Sequence, residues 1–75
     1  MGRLPVLSGA EAVEVFEKAG WSVDRRRGSH VILVKEGHMA TLSIPDHKEL
    51  AKGTLRSLIR AAGLTVEEFE SLVDG

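Results

Sequence analysis

Two Ser/Thr-x-x-Glu signatures bracket the chain, Ser8 with Glu11 near one end and Thr65 with Glu68 near the other. Each reads as a capping box, in which the hydroxyl accepts from the N–H three residues on and the glutamate reaches back to the cap's own N–H. An apolar series of helical period follows each: Ala12, Val13, Val15, Phe16 and Ala19 after the first, Val66, Phe69, Leu72 and Val73 after the second. Helices are therefore expected over about 9–19 and about 66–73. Gly20 stands where a positive φ would close the first. A third helix is expected between Gly53-Thr54 and Gly63, built on Leu55, Leu58, Ile59 and Ala62 with Arg56 and Arg60 on other faces.

The segment between reads as strands. Trp21 to Arg25 alternates, and Gly28 interrupts the pattern. Ser29 to Lys35 contains the apolar run Val31-Ile32-Leu33-Val34 of a central strand, and Glu36-Gly37 signals a tight turn. Met39 to Ile44 alternates again until Pro45, which cannot donate to a ladder. The order α-β-β-β-α with a short extra C-terminal helix predicts an α+β two-layer sandwich. In it, helices cover one side of a three-stranded antiparallel sheet, in outline a double-stranded-RNA-binding-domain-like fold. At 75 residues a single domain, 1–75, is expected, and without cysteine no disulfide can staple it.

If Glu36 and Gly37 form a two-residue turn, Lys35 pairs with His38, Leu33 with Ala40, Val31 with Leu42 and Ser29 with Ile44. That face is mostly apolar and belongs under the helices. The other face pairs His30 with Ser43, so His30 is expected away from the helices, with Ser29 pointing the opposite way. A one-residue slip would invert these faces. Strand three leaves the sheet at Pro45, beside the start of strand two, so His47 and Lys48 are expected near His30. Arg25, Arg26 and Arg27 are expected to enter the same end from the turn between strands one and two.

The net charge of −1 conceals a gradient. Between residues 25 and 60 lie eight Lys and Arg against only Glu36, Asp46 and Glu49, together with all three histidines. The other acids flank this stretch. Tight, indiscriminate nucleic-acid binding by bulk charge is excluded, but a local phosphate-binding patch is not. The strongly apolar run of four is far below the roughly 20 residues of a membrane span. The stretch Leu4-Pro5-Val6-Leu7 is no signal-peptide core, so a cytoplasmic location is expected. The histidine gaps lack metal-site spacing, and no phosphate-binding glycine loop or nucleophile elbow is present. No cofactor and no metal are expected.

The ordered motifs resemble one family. Gly28-Ser29-His30 opens the central strand, and Ile44-Pro45-Asp46-His47 follows the third. Then come Glu49-Leu50, Lys52-Gly53-Thr54-Leu55, Ile59, Ala62-Gly63-Leu64-Thr65 and Glu68-Phe69. Over about residues 8–73 this succession is similar to the HicA toxins of type II HicA–HicB toxin–antitoxin systems. The resemblance implies an mRNA interferase, a ribonuclease that cleaves mRNA and arrests translation and growth. It also implies a HicB-like antitoxin that blocks the site, and an essential histidine at His30.

The residues suit that chemistry without metal. RNA carries its own nucleophile in the 2′-OH, and an imidazole can remove or supply protons near neutral pH. His30 is read as general base or acid and His47 as its accessory partner. Arg25, Arg26, Arg27, Gly28, Ser29, Lys48 and Lys52 are read as the RNA-binding set. Two rivals use the same surface: a non-catalytic RNA-binding module of the same fold, and a domain whose basic end only docks an acidic protein.

Overall fold

The computed structural model describes residues 4–75, so the first three residues of the expected domain lie outside it. Helix α1 spans Gly9–Lys18. Ser8 Oγ accepts from the Glu11 N–H at 3.1 Å, and Glu11 Oε1 accepts from the Ser8 N–H at 2.9 Å. The same reciprocal bonds join Thr65 and Glu68 at the start of α3, Val66–Asp74. Helix α2, Lys52–Ala61, starts two residues ahead of the expected Thr54, from Ala51, which offers no side-chain cap. Gly63, at φ +77°, then turns the chain toward α3.

Strands β1 (Ser22–Arg27), β2 (His30–Val34) and β3 (Leu42–Pro45) form an antiparallel sheet in that order. The helices cover one face. Val31, Leu33, Leu42 and Ile44 meet Ala12, Phe16, Leu55, Ile59 and Phe69 in one core, and the Phe16 and Phe69 rings lie 5.2 Å apart. This is the predicted α+β two-layer architecture.

Two expectations of detail are corrected. The observed pairs of β2 with β3 are Val31 with Ile44 and Leu33 with Leu42, a register displaced by two residues from the predicted one. Glu36-Gly37 does turn, with Gly37 at φ +86° and the His38 N–H donating to Lys35 O at 3.0 Å, but the ladder does not resume there. Instead residues 35–41 form a longer connection. In it the His38 ring packs 5.1 Å from that of buried Trp21, and Met39 is fully exposed. The packing of His38 on Trp21 supplies a contact that a two-residue hairpin would lack. A shift of two leaves every side chain on its predicted face, because strand side chains alternate with period two. The second correction concerns β1, which runs on to Arg27 and so includes the arginines expected in a turn.

The end of the sheet is tied to α1 through its backbone. Gly9 N–H donates to His47 O at 2.8 Å, Asp46 N–H to Ser29 O at 2.7 Å, and Leu50 N–H to Leu7 O at 2.8 Å. Gly9 is buried, and a methyl group there would land on the carbonyl oxygen of Pro45. Gly9→Ala is therefore expected to cost about 1–3 kcal/mol, the range for forcing extra atoms into a packed site. A thermal melt equal to wild type would show that the helix end can move aside.

Candidate active site

The two-residue turn Gly28-Ser29 brings Arg27 directly opposite His30. Gly28 has φ +60°. That is the first position of a type II′ hairpin turn, which glycine adopts without steric cost. The role the structure gives Gly28 is conformational: it allows the tight turn that sets Arg27 opposite His30.

Directly opposed residues of an antiparallel pair share a face, with Cβ atoms about 4.5–5.5 Å apart. His30, Arg27 and Pro45 therefore form one row on the face away from the helices, and Arg25, Ile32 and Ser43 form the next. His30, Arg25, Arg27 and Ser43 are all exposed. Ile32 is buried yet lies outside the main core cluster, as expected for an apolar residue on the uncovered face.

A β-bulge between Val23 and Arg25 decides which arginines join this face. Val23 pairs with Leu33, on the helix side. Strict alternation from Val23 would put Arg25 and Arg27 on the helix side and Arg26 beside His30. The extra residue, Asp24, reverses the phase, the usual consequence of a bulge. Arg26 consequently pairs with Val31 on the helix side, where its guanidinium meets Asp46 at 2.6 Å. The three arginines are not equivalent. Arg27 lies opposite His30 and Arg25 in the next row of the same face, Arg25 bonding its neighbour Asp24 at 2.8 Å, while Arg26 ties β1 to the segment after β3. Nothing in the sequence marks Asp24 as a bulge or Asp46 as the partner of Arg26.

Of the remaining predicted residues, Ser29, His47 and Lys48 are linked to the start of β2 through the backbone, and Lys52 lies on another element. Ser29 precedes β2, and its carbonyl holds the segment that carries His47 and Lys48, both exposed. Among the described residues no hydrogen bond joins His47 to His30; the link is between the residues before them, Asp46 and Ser29. Lys52 is exposed in the first turn of α2. His38 belongs to the Trp21 contact, away from this group.

A family model described as "HicA toxin of bacterial toxin-antitoxin" matches residues 9–64. The chain belongs to the HicA toxin family. A HicA assignment also agrees with a solved structure, described as a toxin–antitoxin complex from Streptococcus pneumoniae. One of its chains superposes with a TM-score of 0.70 at 34% identity, covering 77% of this chain and 98% of that one. No curated protein matches the chain. The HicA family match begins at the first residue of α1 and ends before α3, so the Phe16–Phe69 contact joins a matched residue to one beyond the match. No helix of the described residues is long and apolar enough to cross a membrane.

Proposed function

We propose that this protein is the toxin of a type II toxin–antitoxin system, acting as a metal-independent endoribonuclease on mRNA and neutralised by a HicB-like antitoxin. The observation that carries the reading is the placement of an exposed imidazole, His30, directly opposite Arg27 on the sheet face that no helix covers. An imidazole needs access to the substrate for proton transfer, and a guanidinium beside it matches the geometry of phosphate oxygens.

In this mechanism one imidazole takes the proton of a ribose 2′-OH. The 2′-oxygen then bonds to the adjacent phosphorus, the bond from phosphorus to the 5′-oxygen breaks, and an acid protonates that leaving oxygen. His30 serves one of these proton roles and His47 is the candidate for the other. Charge on the phosphoryl oxygens rises in the transition state, so fixed cations there lower the barrier. Arg25 and Arg27 occupy the face of His30, and Lys48 and Lys52 are assigned to phosphates further along the bound strand. Ser29 contributes through its carbonyl, which holds the His47 segment, and Arg26 through its ion pair with Asp46. The mRNA would be met in the cytoplasm, and residues 1–75 would act as one domain.

The test is purified protein on a defined single-stranded RNA in EDTA. The expected products carry 2′,3′-cyclic phosphate and 5′-hydroxyl ends. A strict metal requirement, or 3′-hydroxyl ends, would reject the mechanism. Salt-sensitive RNA binding without any cleavage would instead identify a non-catalytic RNA-binding module.

A further inference from the structure

A second surface lies in the helix layer, on the other side of the sheet from His30. Arg56, Ile59 and Arg60 of α2 and Leu64, Thr65 and Val66 beyond it line an open groove. Ile59 is buried and Leu64 and Val66 are half-buried, so the floor is aliphatic. Arg56 and Arg60 stand four residues apart on α2, hence one turn apart on the same face.

Both guanidiniums are exposed, and among the described residues neither has an ion-pair partner. This is so although α3 begins beside them with Val66-Glu67-Glu68. Glu68 is committed to its own helix through the capping bond to Thr65, and α2 itself carries no acidic residue. Two unneutralised cations flanking an aliphatic hollow thus remain in a chain whose acids and bases, these two included, balance to within one charge.

The lining favours protein over RNA. Single-stranded nucleic acid is held by cations together with aromatic rings on which bases stack. The groove presents neither an aromatic ring nor an imidazole, whereas the face of His30 presents an imidazole beside its arginines. An aliphatic floor with paired arginines instead complements an amphipathic segment that offers an aliphatic anchor and carboxylates about one helical turn apart.

We infer that the groove of Arg56, Ile59, Arg60, Leu64 and Val66 docks an acidic amphipathic segment of the antitoxin. The inference rests on the reading of the protein as a toxin with a protein antitoxin. It adds an anchoring surface separate from the RNA-cleaving face, so that grip and blockade fall on different sides of the sheet. A groove of this size acts as one anchor within a larger interface, where a few well-placed residues dominate affinity.

The test uses the full chain, the HicB-like antitoxin proposed as its partner, and two double variants, Arg56→Ser/Arg60→Ser and Arg56→Glu/Arg60→Glu. Both side chains altered are exposed, and thermal melts establish that each variant is folded; the serine pair decides if the glutamate pair is not. Antitoxin affinity is expected to fall about tenfold for the serine pair and further for the glutamate pair, the ordering expected when neutral and then repulsive groups replace complementary charge. Cleavage of RNA by the free variants is expected to stay at the wild-type rate. In cells the glutamate pair is then a toxin that the antitoxin no longer rescues.

An unchanged affinity in folded variants overturns the inference and leaves the toxin reading standing. Loss of RNA cleavage with affinity unchanged assigns the groove to RNA and also overturns it. If the wild-type chain does not bind the antitoxin at all, the partner reading falls and this inference with it.

Discussion

His30→Ala is expected to slow RNA cleavage by about 10²–10⁴-fold, the usual contribution of a placed acid–base group, and to abolish growth inhibition on expression. The fold should be indifferent to the change. His30 is exposed and makes no side-chain hydrogen bond among the described residues, so its removal neither opens a cavity nor orphans a polar group. Circular dichroism and the melting midpoint should match wild type. A folded His30→Ala protein that cleaves at the wild-type rate would remove His30 from the chemistry. The converse, lost cleavage in an unfolded protein, is made improbable by the exposure of the residue and is detected by the same melt.

Phe69→Ala is expected to produce the largest stability loss. Phe69 is fully buried and its ring lies 5.2 Å from Phe16, itself fully buried. Deleting a buried phenyl ring typically costs about 3–5 kcal/mol, in which lost burial and the residual cavity both count. A domain this small is held by only about that much, so the variant should be largely unfolded or should melt at least about 12 °C lower. The result is informative because α3 lies beyond the residues shared with the family model, 9–64. A small change in melting midpoint would mean that α3 is an appendage. A large one makes it the element on which the matched core closes.

Much of this architecture was legible because it is written in local rules. Ser8 with Glu11 and Thr65 with Glu68 mark helix starts through bonds that span three residues. The face of His30 survived a wrong register because the error was even: pairing Val31 with Ile44 instead of Leu42 leaves each side chain on its own side. What stayed hidden depends on contacts between distant residues. The 35–41 connection is longer than its turn signal because His38 lies against Trp21, seventeen positions earlier. The split of the arginines follows from a bulge at Asp24, and no composition rule distinguishes a bulged strand from a regular one here. Gly9 reads as an ordinary helix position until the approach of Pro45 gives its missing side chain a purpose.

The backbone ties around residues 46–50 bear on how such a protein can change over generations. Asp46, Gly9 and Leu50 hold this segment through main-chain N–H and carbonyl groups, which every amino acid except proline supplies. The path of the chain past the start of β2 is thus largely independent of the side chains mounted on it. Positions 47–49 can be exchanged with little effect on folding while the groups offered to a bound strand change. Variation in the target preference of the proposed nuclease is expected to accumulate at Lys48 and Glu49, and a library randomised at those two positions, with the candidate proton-transfer residue His47 kept, is a direct way to re-aim it without rebuilding the fold.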